Sequence, residues 1–147
     1  MKPKNHIIAS GIVSTGVYIV THSPVSGVVS FLAGVLIDLD HLIDYYLNYG
    51  ATYKLGHIYT ALDECRLSRV YLFLHSFELL VLFWVAVFLV PLNGICCAIA
   101  LGFTQHIFLD QYYNPVTPRA YFLSYRYAHK FTKESIIDRS KLPSSLR

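Results

Sequence analysis

Val70-Tyr-Leu-Phe-Leu-His-Ser-Phe-Glu-Leu-Leu-Val-Leu-Phe-Trp-Val-Ala-Val-Phe-Leu-Val-Pro-Leu92 decides the fold class of this chain. It is apolar on every side, without the stripe of an amphipathic helix, and it reaches the roughly 17–25 residues that a membrane-spanning helix needs. Three more apolar stretches accompany it: Ile7 to Val20, Val25 to Leu39 and Gly94 to Leu109. These three are short as spans unless their polar ends are counted, which is reasonable if those ends face a protein interior. The breaks between stretches, His22-Ser23-Pro24 and Pro91-Leu92-Asn93-Gly94, join a proline to turn-forming residues and read as tight helix-to-helix turns.

Composition agrees with lipid as the solvent. Hydrophobic residues make up 54% of the 147 residues and charged ones 14%, against roughly 25% in an average soluble domain, and the mean hydropathy is +0.45. A soluble all-helical core is the competing reading, and the missing stripes in the last two stretches argue against it. The expected fold is therefore all-α: an integral membrane four-helix bundle over residues 1–114, followed by a basic, aromatic interfacial tail over 115–147. The basic start, Met1 to Asn5, precedes an apolar run that ends in Thr-His-Ser-Pro rather than a small-residue cleavage site. The first stretch is thus expected to remain as an anchor. Cys65, Cys96 and Cys97 have neither ligand spacing nor an even count, and read as reduced thiols.

Charge supplies the topology. Lys2 and Lys4 precede the first stretch, Lys54, Arg66 and Arg69 lie between the second and third, and all other Lys and Arg come after the fourth. The two tight turns carry none. Positive residues mark the cytoplasmic side, so a multi-pass inner-membrane protein is expected, with both termini and the polar connection Asn48 to Leu67 in the cytoplasm.

The residues able to do chemistry sit at that same side. His6 opens the first stretch, Asp38, Asp40, His41 and Asp44 close the second, His75, Ser76 and Glu78 start the third, and His106 and Asp110 close the fourth. Alternating helix direction would bring these ends into one polar metal-binding layer at the cytoplasmic face. His106 and Asp110 are four apart, and Asp38 and His41, like His75 and Glu78, are three apart, so each pair shares a helix face. Asp38 and Asp40 would face opposite ways on a regular helix: either the helix is irregular there, or one of them orients a liganding imidazole. Imidazole and carboxylate without thiolate suit a divalent metal, Zn first, with Mn or Fe as alternatives. Any one of these residues would serve equally as a cap or an interfacial group, and Asp44 and Glu78 equally as orienting groups. Together they make a functional site the default, because ionisable groups in a membrane segment are costly. His22 reads as a turn residue, His57 as a solvated loop residue or an extra ligand, and His129 as interfacial.

These motifs resemble the bacterial inner-membrane family of membrane-bound metal-dependent hydrolases, the group that includes LexA-regulated members. The resemblance runs from His6 through Gly34-Val-Leu-Ile-Asp-Leu-Asp-His41, the His75-Ser76 pair and His106-Ile-Phe-Leu-Asp110 to Asn114-Pro-Val-Thr-Pro118. It implies metal binding by Asp38, Asp40, His41, His75, His106 and Asp110, with His6 matching an N-terminal His. The chain departs where the family often has a His-Arg pair, here near Val70 and Tyr71, where Leu74 replaces Thr, and where Ile37 replaces a Pro.

The resulting expectation is a metal-dependent hydrolase of a phosphoester or lipid at the cytoplasmic membrane surface, with Asp40, Glu78 or Asp110 as the base. Membrane lipid is the expected partner, together with an amphiphilic or phosphorylated substrate. The basic tail, interleaved with Tyr121, Phe122, Tyr125, Tyr127 and Phe131, suits the headgroup layer as an anchor or as a substrate contact. The alternative is a non-enzymatic membrane protein with a structural metal, or less readily a metal-linked carrier, since only Ser14, Thr15, Ser26 and Ser30 continue the polar layer toward the far side. No nucleic acid is expected, because no recognition motif accompanies the basic residues. Nothing in the sequence marks the oligomeric state.

Overall fold

A computed structural model of the chain describes residues 3–50, 55–63, 66–89 and 94–141. The fold is all-α: among the described residues no β-strand forms, and extended backbone pairs in two isolated bridges, Arg69 with Thr132 and Val116 with Ile137. The chain divides into two compact units, residues 1–37 with 77–114 and residues 38–76 with 115–147.

The first unit holds α1 (Pro3–Thr21) and α2 (Pro24–Leu36), with two later helices in chain order, α5 (Phe77–Leu89) and α6 (Gly94–Tyr113). Pro3 starts α1, where a missing N–H costs nothing. His22 breaks the path with a φ of 51°. Ser23 then caps α2, its side chain accepting from the Ser26 N–H at 3.2 Å, and Pro24 occupies the first helical position. α2 packs on α1 and α6, α1 also packs on α6, and α5 packs on α6.

The interior of this unit is mostly small and polar residues, with Val17, Ile37, Leu80, Val87 and Ile107 among them, and many of its large apolar residues face outward. Ser10, Ser26, Ser30, Ala98 and Ala100 are buried, as are Gly34 and Gly102 in the helices they belong to. Ile8, Ile12, Val20, Leu82, Phe88 and Leu89 lie exposed, Phe88 to 79%. Small residues let the backbones approach: a Cβ on Gly102 would meet the Gly34 nitrogen at 3.0 Å, and one on Gly27 would meet the Ser14 carbonyl oxygen at 3.3 Å. Close approach of this kind is how helices associate where lipid removes the hydrophobic drive. Ser10 Oγ donates to Gln105 Oε1 at 3.0 Å, and Trp84 Nε1 to Thr104 Oγ1 at 2.9 Å.

The second unit holds α3 (Asp40–Tyr49), α4 (Leu55–Asp63), α7 (Leu123–Ala128) and α8 (Lys133–Ile136), with 3-10 turns at Ile37–Leu39, Pro118–Tyr121 and Arg139–Lys141. The Ile37–Leu39 turn begins in the last residue of the first unit. Gly50, with φ 74°, ends α3 by donating to the Tyr46 carbonyl at 2.9 Å. Asn48 organises the segment after α4: its Oδ1 accepts from the Ser68 and Arg69 N–H groups at 3.1 and 3.0 Å, and its Nδ2 donates to the Arg69 carbonyl at 2.8 Å.

Several boundaries differ from the sequence reading. The second stretch does not stop at Leu39 but continues to Tyr49, so that Pro24–Tyr49 is a 26-residue helical run. Among the described residues it is the one helix long and apolar enough to cross a membrane. In the stretch Val70 to Leu92, the helix among the described residues, which here end at residue 89, covers Phe77–Leu89, about 20 Å at 1.5 Å per residue against a membrane core about 30 Å thick. Residues 70–76 are drawn out of the helix because their N–H groups find acceptors elsewhere. Val70 donates to the Phe131 carbonyl, Tyr71 and Leu72 to the Asp44 carboxylate, and Leu74 to Asp40. The fourth helix continues past Leu109 to Tyr113, the polar connection contains α4, and the tail folds into turns and short helices. Pro91 to Asn93 and Cys65 lie outside the described residues.

Candidate metal centre

In the first unit, three of the expected ligands meet. His6, one turn inside α1, places Nε2 2.9 Å from Asp110 Oδ1, and His106 Nε2 is 3.5 Å from Asp110 Oδ2. The two imidazoles stack with centroids 3.9 Å apart and planes 15° apart. All three residues are buried. His106 comes after Ala98 and Gly102 at four-residue spacing on α6, so the small residues that admit α2 also carry its ring to the Gly34 carbonyl, 2.7 Å from Nδ1. A carbonyl only accepts, so that nitrogen holds the hydrogen. In a neutral ring Nε2 then presents a lone pair to a carboxylate oxygen, an arrangement that needs a proton or a cation between them. His6 Nδ1 is buried with no hydrogen-bond partner among the described residues.

The second unit gathers another set. Asp38, on the 3-10 turn, has its Oδ1 3.6 Å from both His41 Nε2 and His75 Nε2, and the two rings lie 5.1 Å apart. His75 Nδ1 is 3.4 Å from Asp40 Oδ2, which also accepts the Leu74 N–H at 2.7 Å. With Nδ1 turned to that carboxylate, His75 again presents Nε2 to a second carboxylate. Within each set the ligand atoms lie inside 4.8 Å of one another. In the second set the 3.6 Å separations exceed a hydrogen bond and are close to the ~3.4 Å expected between two donors about 2.1 Å from a shared tetrahedral ion, whereas His6 and Asp110 in the first set stand at hydrogen-bond distance. The buried His and Asp groups could therefore hold a metal ion. Asp38 and His41 have side chains 30% and 32% exposed, so the second set is open to solvent.

Of the seven residues expected to bind metal, His6, His106 and Asp110 form one set, and Asp38, His41 and His75 the other. Asp40 stands behind His75 as its orienting carboxylate, its Oδ1 buried without a hydrogen-bond partner among the described residues. The alternative posed for Asp38 and Asp40 resolves both ways, since the helix is irregular there and Asp40 is an outer partner. Asp44 accepts the Tyr71 and Leu72 N–H groups, each at 3.0 Å. The shared helix face expected for His75 and Glu78 does not exist, because His75 precedes α5, and Glu78 belongs to neither set. His57 is exposed and pairs through Nδ1 with the Tyr45 hydroxyl at 2.5 Å, outside both sets. His22 is an exposed turn residue, and His129 is exposed with Nδ1 2.8 Å from the Tyr125 carbonyl.

Two contributors escaped the sequence reading. The Gly34 carbonyl had no signal beyond its glycine. Arg126, read as part of an interfacial tail, is 1% exposed and donates to the His75 carbonyl at 3.0 Å; nothing in its spacing distinguishes it from the surrounding basic residues. Compared with protein-family models, curated proteins and solved structures, the chain matches none.

Proposed function

We propose that this chain is a membrane-embedded, metal-dependent hydrolase acting on a phosphoester, such as a lipid headgroup, at the cytoplasmic face of a bacterial inner membrane. The observation that carries the proposal is the spacing of the Asp38, His41 and His75 donors, too wide for hydrogen bonds and suited to a common ion, in side chains that solvent reaches. The motif resemblance and the one-sided basic residues support the class and the orientation, and the large apolar exterior of the first unit supports several membrane crossings. The ligand chemistry favours Zn, with Mn or Fe as alternatives.

A divalent ion held there supplies Lewis acidity toward a phosphoryl oxygen and acidifies water. Asp40 holds the His75 ring so that Nε2 faces Asp38. Of the three carboxylates considered as bases, Asp110 faces His6 and His106, Asp40 faces His75 and Leu74, and Glu78 is the half-exposed one. Burial of His6, His106 and Asp110 favours a second reading for that set alone, a closed structural metal site without turnover.

Metal analysis of gently purified protein, with a phosphodiester and phospholipid hydrolysis screen, tests the proposal. Stoichiometric metal is expected in the parent, reduced in His75→Ala and in His106→Ala, with hydrolysis abolished by chelation. Metal that persists unchanged in both variants, or a parent without metal, sinks it. Labelling of Cys65 from outside intact cells would overturn the cytoplasmic orientation.

A further inference from the structure

The strap that carries His75 is held mainly by groups distant in sequence. Leu72 adopts a φ of 41°, a left-handed conformation that a leucine does not choose unaided. Asp44 accepts from Tyr71 and Leu72, Asp40 from Leu74 and the His75 ring, and the His75 N–H returns to the Leu72 carbonyl at 3.2 Å. The His75 carbonyl accepts from Nη2 of Arg126 on α7 at 3.0 Å. A guanidinium buried to this degree is costly unless compensated, and the Asp44 carboxylate contributes an opposing charge. Two acidic side chains from α3, Asp40 and Asp44, and one basic side chain from α7, Arg126, therefore grip the strap around His75.

We propose that Arg126 is a positioning residue for His75: by fixing the His75 carbonyl it fixes the direction in which the ring presents Nε2 to Asp38. The inference assigns to the C-terminal segment a role in the site rather than in anchoring alone. It rests on the metal reading for one of its two readouts only.

The first readout needs no metal. In micelle-solubilised protein with 15N-labelled imidazoles, Arg126→Ala should move the His75 ring nitrogen signals while leaving those of His22 in place. The second is zinc affinity, for which outer-shell changes typically cost 10–100-fold. A loss of about tenfold is expected in Arg126→Ala, with no further loss when the same change is made in His75→Ala, because the effect passes through that ring. A role in general folding predicts additive losses instead. If Arg126→Ala does not fold, Arg126→Lys replaces it. A single ammonium cannot reproduce the planar fork, so the His75 signals should still move, by less. Unmoved His75 signals in a folded Arg126 variant, or additive zinc losses, overturn the inference. A parent that binds no zinc removes the metal reading, and the ring signals alone then decide the role of Arg126.

Discussion

The two units divide the work of their polar side chains differently. In the first, the helices supply most of their own backbone partners, and the interior polar residues chiefly meet each other: Ser10 with Gln105, Trp84 with Thr104, and His6 and His106 with Asp110, although His106 also reaches the Gly34 carbonyl. In the second, much of the backbone is not helical, and side chains serve it instead: Asn48 holds Ser68 and Arg69, Asp44 holds Tyr71 and Leu72, and Arg126 holds His75. A carboxylate that already accepts two backbone N–H groups is poorly placed to ligate a metal. The Asp residues of the Asp38 to Asp44 run are thus divided by task, with Asp38 facing imidazoles, Asp40 orienting one, and Asp44 supporting the chain.

The largest expected effect comes from Asp110→Ala. Removing the carboxylate leaves two buried imidazoles without the partner between them, and breaking a buried pair costs about 3–5 kcal/mol. Denaturant unfolding in a mild detergent should register that loss; a change under about 1 kcal/mol would mean the stacked rings are satisfied without Asp110.

Asp44→Ala should cost somewhat less, about 2–3 kcal/mol in total: it strands the N–H groups of Tyr71 and Leu72, but both residues are half-exposed, so water offsets part of the about 1–3 kcal/mol that each fully buried donor would cost. The damage should be local. Amide exchange at Tyr71 and Leu72 is expected to accelerate while the α6 amides keep their protection, and equal acceleration in both units would erase the contrast between them.

The smallest effect tests the interior of the first unit. A Cβ on Gly102 would crowd Ala33 and the Gly34 nitrogen, each at 3.0 Å, and press on the Ser30 carbonyl, whereas one on Gly11 meets nothing within 4 Å. Gly102→Ala should therefore destabilise by about 1–3 kcal/mol through overpacking. Gly11→Ala should stabilise by up to about 1 kcal/mol through helix propensity alone. The paired unfolding midpoints should move in opposite directions, and equal shifts would show that α2 and α6 do not approach closely at Gly102.

The sequence by itself determined the features that arise from local periodicity and transfer preference. An all-α chain, a helix break at His22 to Pro24, and the pairing of His106 with Asp110 and of Asp38 with His41 could be read directly. Residues three and four apart share a face in any helix, and apolar runs partition in the same way wherever they fold. Tertiary structure decided the rest. Hydropathy assigned Val70 to Ser76 to a helix, because it records how a side chain partitions and carries no account of a distant acceptor for the backbone. Asp40, Asp44 and Phe131 supply those acceptors across wide gaps in sequence, and the strap leaves the helix for that reason. Arg126 likewise looked like one more cation in a basic tail until the fold enclosed it against the His75 carbonyl. His6 reached Asp110 only because small residues along α2 and α6 let the helices close. Such choices depend on which groups remain unsatisfied once the chain has packed, and no spacing within a single element records that.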